Sequence, residues 1–326
     1  KREFRLADIV PMQQSGPSGR FEDAASVGRG VGRFGRAFAR LNPAWVVVLG
    51  DRIEAFAAAA CASIAGIPLA HLHGGDRAEG VADEAMRHAI TKLAHLHLPA
   101  TEASAERIVR MGERPETVRV VGSPAIDGLS DFAPMGDEAW RALGSPEAVF
   151  LMHPIGRSPE AEEASAAEVF GALRALGLRV LALEPNLDAG REGISRAIRE
   201  SGVTSRTHLP RAEFVGLLKR MAEGGGVGGV LVGNSSAGLI EASALRLPVV
   251  DVGPRQAGRE RPANVTHADD VTSVRGAIER ALATPADVRA TWSHPYGDGR
   301  AGERSAQELA AWLPRAGSLL RKRCAY

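Results

Sequence analysis

The chain is predicted to fold as α/β, with two doubly wound, Rossmann-like parallel sheets. Three observations predict it: short β-branched runs that stop at glycine, Ala-rich or amphipathic segments between them, and a polar break after which the pattern starts again. At 326 residues the chain is longer than one ordinary core serves, and domains of roughly 150 residues make two the natural count.

In the first half, "AWVVVLGD" (44–51), "IPLAHLHGG" (67–75), "LAHLHLPA" (93–100) and "TVRVVGSPAID" (117–127) read as strands. An Ala-rich helix follows the first. "TEASAERIVRMG" reads as a helix with Thr101 as N-cap and Gly112 as its stop. "DFAPMGDEAWRALGSPEA" is the linker candidate. Beyond it come the strands "VFLMHPIG", "LRVLALEPN", "GGVLVGN" and "PVVDVG", separated by helices that include "RAEFVGLLKRMAEGGG" and "SAGLIEASALRLP", with "RSAQELAAWL" closing the chain. Runs that are apolar throughout imply sheets covered on both faces, and ligands of such sheets sit beyond the carboxyl ends of the strands.

Hydrophobic residues make up 44%, charged residues 24%, and the net charge is +1, which argues against a general attraction to nucleic acid or an anionic membrane. The run "AFAAAACASIAGIPLA" carries Gly and Pro and follows the charged "GDRIE", so no spanning helix is predicted. Lys1, Arg2 and Arg5 lead into no apolar segment, so no signal peptide is predicted. With Cys61 and Cys324 as the only cysteines, a reducing cytoplasm is the expected setting.

The loops after the strands hold the chemistry. In "VLVGNSSAGLIEA" a strand ends in Gly-Asn, and Ser235, Ser236 and Gly238 open a helix, which is a phosphate site by its free N–H groups and dipole. Glu241, further along, is placed to accept from a ribose diol; a plain Ser N-cap with a surface Glu is the bland alternative. "GPRQAGRERP" adds Arg255, Arg259 and Arg261 beyond the next strand, suited to a diphosphate or simply solvated. Five of the nine histidines fall between 71 and 97. His71 and His73, flanking Leu72, are expected on one face of a strand, but no third ligand at zinc spacing follows, and no metal is predicted. His95 and His97 read as satisfied core histidines, and "EGGGVGGV" (223–230) as a turn.

"GDR", "HLHGGD", "DEAMRHAITKLAHLH", "HP", "PNLDAG", "GNSSAGLIEA", "GPRQAGR" and "YGDG" occur in the order and spacing of the UDP-N-acetylglucosamine 2-epimerase family, from about Asp23 to about Leu313. The chain most resembles its hydrolysing branch, which forms N-acetylmannosamine and UDP for sialic-acid-type sugars. The resemblance implies a GT-B-like fold: an N-terminal domain over 1–140 closed by the C-terminal helix 301–326, and a nucleotide-binding domain over 141–300. It implies elimination of UDP to a 2-acetamidoglucal and hydration to the 2-epimer, without cofactor or metal, in a cytoplasmic homodimer whose partners are a UDP-sugar and UDP.

Position by position, the resemblance matches Asp51 and Asp83 to the family's acid-base carboxylates and Arg52 and His153 to residues beside the diphosphate; Asp51, His73, Asp83 and His153 are the catalytic candidates. It matches Ser235 and Ser236 to the phosphate-binding pair and Glu241 to the ribose ligand; with Arg52, Arg87, Asn186, Arg255 and Arg259 these are the substrate-binding candidates. Two departures stand out. No strand with a Gly-x-Arg turn precedes "FEDAASVGRGVGRF", and His73 stands where the family commonly has Glu, as Asp76 also does. An imidazole at 73 still moves protons near neutral pH. It also marks one alternative, a related epimerase or hydrolase taking another nucleotide sugar; the missing Gly-x-Arg strand marks another, a nucleotide-sugar-binding protein without turnover.

Overall fold

Nine strands, every pairing parallel, form two sheets among the described residues of the computed structural model, which are 6–14, 19–78, 83–223 and 228–325. The chain divides into two units. One contains the described residues of Lys1–Arg77, Ala82–Pro124 and Arg300–Tyr326, the other those of Ala78–Val81 and Ala125–Gly299. The expected boundary at 140/141 therefore lies inside the second unit. The expected linker is not one: Met135 and Leu143 bury their side chains in a core cluster there, and a short helix (Asp137–Ala142) lies between them.

In the first unit, α1 (Arg20–Leu41) and α2 (Ile53–Ile64) flank β1 (Val46–Leu49), and β2 (Leu69–Leu72) follows. α3 (Asp83–Leu93), β3 (Leu96–Leu98) and α4 (Glu102–Arg110) come next, and the sheet order is β1-β2-β3. Alternation sorts β2: Leu69 joins a cluster with Ile90 and Ala59, while Ala70 and Leu72 join Leu96, Leu98 and Val121. β1 turns Val47 and Leu49 outward, 47% and 55% exposed. Thr101 caps α4 by accepting from the Ser104 N–H at 3.1 Å, and Gly112 beyond its end has φ +85°. The expected strand at 117–127 shrinks to an isolated bridge between Val118 and His97, and its later residues enter a 3₁₀ turn at Pro124. Proline lacks the N–H that a further ladder bond requires.

The second unit starts with α5, the helix at Asp137–Ala142, followed by β4 (Ala148–Leu151), α6 (Pro159–Ala175), β5 (Val180–Leu183), α7 (Arg191–Ser201), β6 (Thr204–Arg206) and α8 (Arg211–Glu223). Then come β7 (Val230–Gly233), α9 (Ser236–Leu239), α10 (Glu241–Ala244), β8 (Val249–Val252), β9 (Val265–Ala268), α11 (Val274–Leu282) and α12 (Ala286–Ala290). The order β6-β5-β4-β7-β8-β9 reverses direction between β4 and β7. That is the doubly wound arrangement, and the reversal point is where such sheets hold ligands. β4, β5, β7 and β8 are buried along their whole length between two apolar clusters, as parallel strands covered on both faces must be. β6, β9, α1, α11 and α12 are additions to the sequence reading; "TSR" and "VTHA" are too short and polar to announce strands. α13 (Ala301–Trp312) and α14 (Ala316–Leu319) return to the first unit. The glycine run at 224–227, expected as a turn, lies outside the described residues. No helix among the described residues is long and apolar enough to cross a membrane.

Candidate functional site

Each unit gathers its site residues beyond the carboxyl ends of its own strands. In the first, β1 ends at Leu49 and Gly50 turns with φ +76°, placing Asp51 and Arg52 ahead of α2. Asp51 forms an ion pair with Arg87 of α3, whose side chain is only 4% exposed. Arg87 also donates to the Asp76 carbonyl at 3.0 Å, joining the loops after β1 and β2. Arg52 points outward, half-exposed, with Glu54 at 3.5 Å. Asp83 begins α3, and its side chain lies outside the described residues. Glu84, the other acid of that pair, faces Arg77 at 4.0 Å and His88 at 3.5 Å.

The strand after β1 stops at Leu72, one residue before His73. His73 takes φ +59°, a conformation that costs a branched or ringed residue about 1–3 kcal/mol and clusters at functional sites. The expected alternation of His71 and His73 on one face therefore does not occur. His71 donates from Nε2 to the Gly50 carbonyl at 2.8 Å, with Thr91 Oγ1 3.1 Å from Nδ1. His73 Nδ1 donates to Asp76 Oδ2 at 2.8 Å, and its Nε2 lies 2.9 Å from Ser123 Oγ. The glycines between are sterically required: a Cβ on Gly75 would lie 2.3 Å from the Ser104 carbonyl oxygen. His95 accepts from the Leu69 N–H at 3.1 Å and His97 pairs with buried Glu113 at 3.0 Å, as core histidines do. Among the described residues no group of three or more His, Cys, Asp or Glu is placed to hold a metal ion.

In the second unit His153 follows β4 and Asn234 follows β7, one on each side of the reversal point. They clasp each other: the His153 N–H donates to Asn234 Oδ1 at 2.7 Å and Asn234 Nδ2 donates to the His153 carbonyl at 2.9 Å. The Asn186 N–H donates to His153 Nδ1 at 3.1 Å, which leaves the proton on Nε2, directed at Ser235 Oγ 3.3 Å away. Burial first, then the charge of Arg255, lowers this imidazole's pKa to about 4. His153 is therefore a neutral hydrogen-bond donor at physiological pH. The Asn186 side chain itself binds Asp188.

Ser235 caps α9 by accepting from Ala237 N–H, and Ser236 is its first residue. The helix expected over "SAGLIEASALRLP" is broken at Ile240 into α9 and α10, four residues each. The Ser243 hydroxyl donates to the carbonyls of Leu239 and Ile240 at this break. So short a helix has a weaker dipole, and the groups there that can meet an anion are the N–H groups, hydroxyls and arginines. Arg255 and Gln256 both donate to the Asn234 carbonyl, at 3.2 and 2.8 Å, and Arg259 donates to Gln256 at 2.9 Å. Arg261 and His267 anchor the loop on buried Asp251 at 3.2 and 3.1 Å. Glu241 has Arg211 at 3.6 Å.

The sequence reading missed Asn234, Gln256, Asp76 and Ser123 as partners. Asn234, Gln256 and Asp76 lie in loops after strands, the one signal that marked them, and Ser123 follows the bridge at Val118.

Buried His71 and His95 and half-buried His153 set a pH response. Burial lowers His71, His95 and His153 to about 4, whereas the unfolded chain protonates them near 6.5. In that window the unfolded state binds more protons, so stability falls as pH falls, by up to about 3 kcal/mol per histidine. Urea unfolding at pH 7.5 and 4.5 is expected to show a clearly lower midpoint at the acid pH; equal midpoints contradict it.

Comparison with known proteins agrees with this geometry. A family model described as UDP-N-acetylglucosamine 2-epimerase matches residues 2–310. A hydrolysing UDP-N,N'-diacetylbacillosamine 2-epimerase of Legionella pneumophila is 35% identical over 99% of this chain and 85% of that protein. A UDP-N-acetylglucosamine 2-epimerase of Neisseria meningitidis is 32% identical over 74% of this chain and 64% of its own length. Among solved structures, a UDP-GlcNAc 2-epimerase from Neisseria meningitidis bound to UDP-GlcNAc aligns with TM-score 0.74 at 18% identity, covering 95% of this chain and 86% of that one. The Methanocaldococcus jannaschii enzyme in complex with UDP-GlcNAc and UDP gives 0.73 at 17% identity, over 90% and 82%.

Proposed function

Because the chain belongs to the UDP-N-acetylglucosamine 2-epimerase family, we propose that it is a hydrolysing UDP-hexosamine 2-epimerase, acting on an N-acetylated UDP-hexosamine in the cytoplasm as a homodimer. The observation that carries the reading is the neutral His153 imidazole, clasped by Asn234 and aimed at Ser235 where β4 and β7 diverge. That is the place where doubly wound sheets hold nucleotides. The hydrolysing outcome is supported by the Legionella pneumophila relative.

In this reading the C1–O bond of the sugar breaks and UDP leaves with the electron pair while C2 loses its proton, giving a 2-acetamidoglucal. Water then adds its oxygen to C1, and C2 regains a proton on the opposite face. The overall reaction is redox-neutral. Asp51, His73 and Asp83 supply the acid-base groups, with His153 beside the leaving diphosphate. Ser235, Ser236, Arg255 and Arg259, with Arg52, Arg87 and Asn186, meet the diphosphate charge. Glu241 takes the ribose diol.

The test is turnover in H₂¹⁸O. UDP and a 2-epimer carrying ¹⁸O at C1 are expected from UDP-N-acetylglucosamine. No free UDP at high enzyme concentration sinks the proposal, and a 2-epimer still joined to UDP sinks its hydrolytic part. A second substrate, UDP-N,N'-diacetylbacillosamine, is favoured by the 35% identity that extends over 99% of the chain. Side-by-side kcat/KM values decide between the two sugars.

A further inference from the structure

Five side chains of the first unit line up through His73. Thr101 Oγ1 donates to Ser104 Oγ at 3.0 Å, and Ser104 Oγ donates to Asp76 Oδ1 at 2.9 Å. Asp76 Oδ2 accepts from His73 Nδ1 at 2.8 Å, and His73 Nε2 meets Ser123 Oγ at 2.9 Å. Arg107 also donates to Ser104 Oγ, at 3.3 Å, so the acceptor side of that hydroxyl is occupied and its proton is directed to Asp76. Ser104 and Ser123 are fully buried, Asp76 is 2% exposed, and His73 alone reaches the surface, at 8%. The direction of the hydrogen bonds is thereby set: Asp76 acts as acceptor on both oxygens, which holds the ring as the Nδ1–H tautomer and leaves Nε2 as the basic atom.

Resting on the functional reading above, we propose that Asp76 and Ser123 are positioning residues that make His73 an acid-base imidazole. Asp76 orients the ring and stabilises the imidazolium formed when Nε2 takes a proton. The Ser123 hydroxyl suits both states, donating to Nε2 when it is bare and accepting from it when it is protonated. The strained φ of His73 and the tight Gly74-Gly75 turn hold the ring in this alignment. The other charged or titratable groups around it are His71 from β2, Asp51 from the loop after β1, Arg87 from α3 and Arg107 from α4.

The test combines ¹⁵N side-chain NMR with kinetics on the full chain. Wild type is expected to show His73, assigned by its loss in His73→Gln, as the Nδ1–H tautomer. Asp76→Asn is expected to move the proton to Nε2 and to lower kcat by about 100-fold or more, with the pH profile changed and UDP affinity within about threefold of wild type. Ser123→Ala is expected to lower kcat about tenfold. In the double variant Asp76→Asn adds nothing to His73→Gln, because residues that act as a unit are not additive. A wild-type Nε2–H tautomer, an unchanged pH profile in Asp76→Asn, or full additivity overturns the proposal. Should wild type bind UDP yet turn over neither sugar, the functional reading fails instead. The tautomer, readable even if Asp76→Asn does not fold, then decides alone: Nδ1–H retains the positioning role and Nε2–H overturns it.

Discussion

Replacing Asp51 with Asn is expected to lower UDP release by a factor of about 10² to 10⁴, the range over which a positioned acid-base group acts. The substitution keeps the size of the side chain and removes its charge and basicity. It also alters the ion pair with Arg87, whose side chain is 4% exposed while that of Asp51 is 19% exposed. Breaking a fully buried pair costs about 3–5 kcal/mol; partial exposure and the amide oxygen of Asn, which still accepts from Arg87, bring the expected loss to about 1–3 kcal/mol. Thermal unfolding therefore accompanies the kinetics. UDP affinity is expected to fall far less than turnover: of the candidate diphosphate ligands only Arg87 pairs with Asp51, and Ser235, Ser236, Arg255 and Arg259 belong to the other unit. A folded Asp51→Asn with near wild-type turnover removes Asp51 from the mechanism.

The largest expected effect on folding is at Gly233. This residue ends β7 with φ +148°, and a Cβ there would lie 2.0 Å from the Leu151 carbonyl oxygen and 2.5 Å from its carbon. Both obstacles are backbone of β4, which pairs with β7 in register at this position. Gly233→Ala must either spread the two central strands or distort the turn, and the expected cost is about 3 kcal/mol or more. Spreading the strands also separates His153 from Asn234, so UDP binding falls with stability. Gly28→Ala is the matched control: it sits inside α1 with nothing within 4 Å of its Cβ, and alanine there is expected to stabilise by about 0.5–1 kcal/mol. Urea midpoints measured together check both, and an unaffected Gly233→Ala would show that the approach of β4 and β7 is not tight.

The strands were legible where burial on both faces made them apolar throughout, as in "VFL", "VLAL", "VLV" and "VVDV". The chain reading failed where pairing, not composition, makes the strand. β6 and β9 are recruited as neighbours in a sheet whose central strands already exist. Val118 has the composition of a strand residue but only one bridge partner. The break at Ile240 was likewise invisible, because "SAGLIEASALRLP" carries neither proline nor an internal turn signal that would predict it.

The site divides the same way. The sequence alone determined the fold class, the family to which the chain belongs and the loops in which the chemistry sits, because period, turn residues and motif spacing are local properties of the chain. Tertiary structure decided the pairings: Asp51 with Arg87, His153 with Asn234, and His73 with Asp76 and Ser123. It also decided which nitrogen of His153 and His73 carries the proton, in opposite senses, since a tautomer follows from the partner each ring meets. Hydrogen bonds between residues 50 or 81 positions apart exist only once parallel strands bring their loops to the same edge of a sheet, and no local pattern encodes that meeting.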